Sequence, residues 1–440
     1  MNTSIPSLPL SPSSLSCALI FPTVFLLAWS PGVLAQEPIA VGPEFRVSGQ
    51  DNEKLQARPR LDMADDGTFM VAWDDFVDEG AYTVNGRRFS ASGVGGIDAQ
   101  VNTYNPGTQI FPDVAAAPGG EFMVIWQSYD GQDGYGTGVF ARAFDSNGNP
   151  SGSEISVNSA TDGHQHDASL AYGGSDRFLV VWDHDIPGEG EFGIRGQLFQ
   201  TDGSRFGAEL SLAQLDMPRV NDPRVAGGPG GYVVAWDSSD VDGSGLAVQA
   251  QLLDSLGTAV GGAFQVNVNT FYDQDDPEVA MGTDGGFVVV WKDQTFPDDP
   301  YNGILLRLFA SDGTPQTDEI LVNVITADSQ ERPILARTPG DGILVVWDSR
   351  TDPMGEFDIV GRHFDSAGNP TTGEFQVNEL RDGNQTYADL AVADSRFVVT
   401  WTTDMCGLCD RDAKARVFDL SLFVDGFESG DVSAWSTAVP

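Results

Sequence analysis

The sequence predicts an all-β chain in which seven similar units, each of four short strands, close into a ring. Three observations carry this. Trp73, Trp126, Trp182, Trp236, Trp291, Trp347 and Trp401 recur at steps of 53 to 56 residues. Each ends a short apolar run, as in Phe122-Met-Val-Ile-Trp126 and Phe287-Val-Val-Val-Trp291. Between these runs, Gly, Asn, Asp and Pro cut the chain into strand-length pieces, and no stretch shows helical periodicity. A fixed period of this size marks a repeat architecture. Short Val/Phe/Ile-rich segments separated by turn residues read as antiparallel hairpins.

One unit shows how the elements follow. Phe111–Ala116 reads as strand a, Glu121–Trp126 as strand b, Gly138–Phe144 as strand c and Glu154–Asn158 as strand d. The turns Pro118-Gly-Gly and Asp145-Ser-Asn-Gly148 supply a fixed or a positive φ. Further columns keep register. Arg87, Arg142, Gln197, Gln251, Arg307, Arg362 and Arg416 recur on strand c. Gln56, Gln109, Gln165, Gln274, Gln330 and Gln385 lead into strand a. Polar residues repeated in every unit are expected to satisfy the same buried backbone groups in each. An active site breaks the symmetry of a repeat fold instead of following it.

The seventh unit lacks strand d in its usual place, because Leu422 stands where the hairpin Gly is expected. Glu44-Phe-Arg-Val-Ser48 matches strand d elsewhere, as in Glu374-Phe-Gln-Val-Asn378. Residues 44–48 are therefore expected to pair with residues 414–419 and close the circle. Closure removes an edge that invites aggregation.

On these residues the chain resembles seven-bladed β-propellers built from the roughly 50-residue repeats of bacterial secreted proteins. The Gly-Gly-Phe-x-Val-x-Trp pattern stands at residues 285–291 and Phe-Asp-x-x-Gly-x-Pro at 364–370. The resemblance covers about residues 44–420 and implies an architecture, not one activity. The Trp-Asp pairs at 73–74, 182–183, 236–237 and 347–348 are similar to those of WD40 repeats. The period is too long for that family, and here the Trp lies on strand b.

The expected organisation is a signal peptide at 1–35, a lead at 36–43, the propeller at 44–420 and a tail at 421–440. The first 35 residues carry no Asp, Glu, Lys or Arg, and Leu19–Trp29 is apolar but too short to span a bilayer. Asp425–Ser436 resembles a short C-terminal sorting motif of exported bacterial proteins. A secreted bacterial chain without a membrane span is the expectation. Its net charge of −41 excludes nucleic acid and anionic lipid as partners. It favours cationic partners or divalent metals.

In an a-b-c-d ring the b–c and d–a connections emerge on one face. All seven b–c loops are acidic, and calcium takes carboxylate oxygens at flexible geometry. Asp240-Val-Asp242-Gly and Asp183-His-Asp185 are fragments of an alternating calcium loop. Asp183, Asp185, Asp240 and Asp242 are therefore the calcium candidates. His164, His166 and His184 cluster in sequence and form a transition-metal candidate. Cys406 and Cys409 are expected to form a disulfide in an exported chain. No catalytic residue is assigned. There is no Gly-x-Ser-x-Gly, no His-Glu-x-x-His and no phosphate-cradling loop. The carboxylates are too many for spacing to pick a glycosidase pair. No unit stands out by acidic, Tyr and Arg residues converging on the axis. The leading expectation is an exported, non-enzymatic scaffold that binds protein or polysaccharide at the loop face, with calcium. The alternative is a glycan-active hydrolase or lyase with its site in the axial funnel.

Overall fold

The structure is a computed structural model. It describes residues 37–420 except 50–54, 79, 130, 187–190, 216–219, 240, 295–301, 327, 351–354 and 406–410. The segment expected to be a signal peptide, the C-terminal tail and both Cys406 and Cys409 lie outside the described residues.

Seven antiparallel sheets make a seven-bladed propeller. Blade 2 runs Gln109–Ala116, Phe122–Ser128, Gly138–Phe144 and Ile155–Ser156, within two residues of the sequence reading at each boundary. The inner strands of the other blades are Gln56–Met63, His164–Gly173, Val220–Gly228, Gln274–Met281, Gln330–Thr338 and Asn384–Ala393. Each blade is apolar on both faces, so the core lies between neighbouring blades. One cluster joins Met123, Ile125 and Val139 of blade 2 to Phe178, Val180 and Trp182 of blade 3. All seven repeat tryptophans are at most 2% exposed.

The ring closes as the sequence predicts. Phe45 and Arg46 pair with Ala415 and Lys414, and Ile39–Ala40 adds a second pairing with Asp419 and Phe418. The closing strand reproduces the contacts of a true strand d. Glu154 and Glu374 accept backbone N–H groups from the neighbouring blade, at Thr103 and Val324. Glu44 does the same for Glu379 across the closure. The strand-c arginines also repeat. Arg142, Arg307, Arg362 and Arg416 each donate to a valine carbonyl of the preceding blade's outer strand, and Arg87 donates to Val47 of the closing strand. Gln109, Gln165, Gln274 and Gln385 donate to nearby carbonyls, and Gln330 and Gln385 accept from the indoles of Trp347 and Trp401. These columns are structural, as expected.

Every inner strand carries a β-bulge at the same place. A non-glycine residue with positive φ sits in each: Arg58, Phe111, Asp167, Asp222, Asp276, Arg332 and Tyr387. Such a conformation costs on the order of 1–3 kcal/mol and persists when the surroundings over-determine it. The surroundings here are visible. Asp348 accepts the Tyr387 N–H at 3.0 Å, and Thr402 accepts the Arg58 N–H at 2.9 Å. Both acceptors directly follow a repeat Trp. The bulge re-aims the residues around it toward the axis.

Candidate functional site in the axial funnel

The seven inner strands surround a cavity of about 650 Å³. Two columns of side chains shape it. Of the positive-φ residues, Arg58, Phe111 and Asp167 line it. Deeper, the column two residues further on holds Arg60, Asp113, Ser169, Arg224, Glu278, Ile334 and Asp389. All seven of these deeper positions line inner strands, and six of them carry polar or charged groups in place of the apolar residues beside them.

The acids of the deep ring are not equivalent. Asp113 accepts N–H groups at both oxygens, from Val114 and Leu170. Asp62, one turn of the pleat below, likewise accepts from Met63 and Ala116. Both carboxyls stitch adjacent inner strands. Asp389 accepts from Leu61 N–H at Oδ2, 2.6 Å away. Glu278 accepts from Arg224 Nε at Oε1, 2.7 Å away. Among the described residues, Asp389 Oδ1 and Glu278 Oε2 have no protein donor. Burial pushes the Asp389 carboxyl up to about 7; Arg60 opposes this, and the charges of Asp113 and Glu278 add to it. Burial also raises Glu278, but Arg224 and Arg60 counter it. Both carboxyls line the one cavity, and only Glu278 is hydrogen-bonded to a guanidinium group.

Further acids from blades 4 to 6 gather near Lys292. Lys292 Nζ lies 3.2 Å from Asp275, 3.1 Å from Asp276 and 3.7 Å from Glu331. Burial, against Lys292, pushes Asp275 up to about 7. Burial pushes Asp237 up to about 8, and Asp222 adds to it. Two bulge arginines stack on the bulge aromatic of the following blade: Arg58 lies 4.4 Å over Phe111, and Arg332 lies 4.8 Å over Tyr387.

The sequence-derived candidates fall as follows. Asp183 comes together with His166 and Asp167, a grouping whose ligand atoms all lie within 4.8 Å of one another. Asp185 is half-buried on the same strand, opposite His164. Asp242 lies in the next blade, where it accepts from Ser244 N–H and Asn267 Nδ2. Asp240 is outside the described residues. The three clustered histidines do not converge: His184 is buried against Gln165, and His164 accepts from Thr137 N–H and packs on Tyr135. The residues that sequence reasoning missed are Arg60, Arg224, Glu278 and Asp389. A signal existed. In a repeat whose neighbouring positions stay apolar, one strand-a column changes charge from unit to unit.

No protein-family model matches this sequence, and no curated protein matches it. Solved structures do match. Penicillium chrysogenum α-L-arabinanase, complexed with arabinobiose, is 12% identical with a TM-score of 0.51, over 87% of this chain and 99% of that one. The GH93 α-L-arabinofuranosidase of Fusarium graminearum is 11% identical with a TM-score of 0.49, over 87% and 98%. A Dyadobacter fermentans protein of unknown function gives 11% and 0.49, over 87% and 98%. At these identities the likeness bears on the fold. The expectation of a non-enzymatic scaffold is corrected at this point. The arabinanase that shares the fold acts on a glycan, and the axial ring breaks the repeat symmetry that a passive scaffold would keep.

Proposed function

We propose that the chain is an exported glycoside hydrolase that cleaves a glycosidic bond in the axial funnel. The observation that carries this reading is the broken symmetry of the deep ring. Seven equivalent backbone positions hold two Arg and three acids, and two of those acids keep an oxygen free toward the cavity. Asp389 is the general acid. Its Oδ2 is fixed by the Leu61 N–H, so the proton resides on Oδ1 and passes to the glycosidic oxygen as the C–O bond breaks. Glu278, oriented by Arg224, is the carboxylate that meets the positive charge developing at the anomeric carbon. Water completes the reaction and restores the proton. Arg60 sets the balance of charge between the two acids. Arg58 and Arg332, stacked on their aromatic partners, offer N–H donors to sugar hydroxyls at the mouth.

The test is a panel of polysaccharides that includes arabinan, scored for released reducing ends. Asp389→Asn and Glu278→Gln should each lower turnover by about 10³-fold while the melting curve stays near that of the parent. No product from any glycan, or parental turnover in both variants, would overturn the reading.

A further inference from the structure

Beyond the hydrolytic site, we infer that His166, Asp167 and Asp183 form a binding site for a divalent transition-metal ion on the funnel wall. The three residues come from two adjacent strands of blade 3. His166 and Asp167 lie at the bulge of the inner strand, and Asp183 directly follows Trp182 on the next. Their placement is fixed by the backbone: His166 pairs with Asp183 in the ladder, and the positive φ of Asp167 turns its carboxylate back toward the same point.

The geometry departs from that of a simple ion pair. His166 Nδ1 lies 3.0 Å from Asp167 Oδ2 and makes a hydrogen bond to it. The same nitrogen lies 2.8 Å from Asp183 Oδ1. Nδ1 carries at most one hydrogen, so it cannot serve both carboxylates. Asp183 Oδ1 is withdrawn from solvent, and no donor is aligned with it. Asp183 itself is 4% exposed. A nitrogen and two carboxylate oxygens that converge with one hydrogen among them are arranged as ligands around a cation. Two negative charges and a neutral imidazole balance a dication. The mixed nitrogen and oxygen donors suit zinc or manganese better than calcium, which takes oxygen.

Three protein ligands leave positions open. A recess of about 440 Å³ adjoins the site, lined by Phe111, Tyr129, Thr137 and His164 together with His166 and Asp167. An open coordination position facing it would take water or an oxygen of a bound ligand.

The test is calorimetric titration of chelator-treated protein with zinc chloride, with melting curves in zinc, calcium and ionic-strength-matched sodium. One saturable zinc site per chain and a zinc-specific rise in melting temperature are expected. His166→Gln should weaken zinc binding by at least about tenfold. Asp167→Asn, which changes a partly exposed group, should do the same and guards against misfolding of the first variant. Absence of saturable zinc binding would show an imidazolium held by two aspartates and overturn the inference. Equal binding in both variants would place the metal elsewhere, at Cys406 and Cys409 for example, and overturn it as well. A rise with calcium but not zinc would also count against it. None of these outcomes depends on glycan hydrolysis.

Discussion

At the scale of single residues, environment decides role. Asp62, Asp113 and Asp389 all line the same cavity, yet two of them have both oxygens committed to backbone N–H groups. The third keeps one free, and its proton is held to about pH 7. If Asp389 is the acid, kcat/KM should fall as pH rises above about 7, because the proton to be donated is lost. Pre-steady-state pH profiles on the best glycan would show this limb; a rate that climbs steadily to pH 9, about two units higher, would contradict the assignment. The repeat glutamines act differently. Gln385 accepts from the Trp401 indole at 2.9 Å and from the Thr403 hydroxyl at 2.7 Å. Gln385→Leu strands two buried donors and should cost about 1–3 kcal/mol in urea unfolding. Both the column and its structural meaning were legible in the sequence, since periodic polar residues announce periodic backbone needs. The charge of the deep ring was present in the sequence too. Its convergence was not, because residues in different blades are some 50 to 330 positions apart and meet only around the axis.

At the scale of elements, the closing strand and the bulged inner strand do the most. The closing strand is short, but it supplies what every other strand d supplies: a glutamate bridge, an arginine acceptor and a buried valine. Val47 is 0% exposed, and Phe45 packs on Phe89 with centroids 5.7 Å apart. A chain beginning at Asp51 should lose about 3–5 kcal/mol, comparable to deleting one large core side chain, and gain a tendency to self-associate. Denaturant melts and light scattering measure both. The sequence reading found this element because its pattern is copied from the other units. It did not find the bulge. A positive φ at Phe111 or Tyr387 is disfavoured locally, and the residue before a proline is biased toward extended backbone. At Tyr387 and Arg58 the conformation is held from the neighbouring blade, where the side chain after Trp347 or Trp401 accepts the N–H.

At the scale of the molecule, charge and burial act together. Five funnel-side or interblade aspartates that contact none of the proposed metal ligands are raised by burial: Asp62, Asp74 and Asp389 to about 7, Asp237 to about 8 and Asp348 to about 6. A folded-state pKa above the unfolded value means that the folded chain binds more protons in that interval. Stability from these groups is fully present near pH 4 and is lost as pH rises through about 6 to 8. Relief of repulsion in a chain of net charge −41 works in the same direction. His363 opposes it. Buried between Thr338 and Thr371, its pKa is lowered to about 4 by burial. Its contribution is present above about 6.5 and is lost as pH falls toward 4. The melting temperature should therefore rise by several degrees as pH falls from about 8 towards about 5, because the five aspartates outweigh the single histidine. His363→Gln should steepen the part of the rise that lies below about pH 6.5 and leave the part above it in place. Calorimetry across pH reads both; a melting temperature that climbs with pH would contradict the sign.

The sequence by itself determined the repeat, the count of seven, the order of strands, the closing segment and the structural columns. All of these are local or periodic, and a period written in side-chain type is preserved without knowledge of distance. Tertiary structure alone decided which acids are free and which are engaged, and where positive φ is enforced. It also decided which of the many carboxylates meet at the axis and which histidine meets Asp183. These depend on the angle between blades and on hydrogen bonds between them. Burial and hydrogen bonding then give chemically identical aspartates different surroundings.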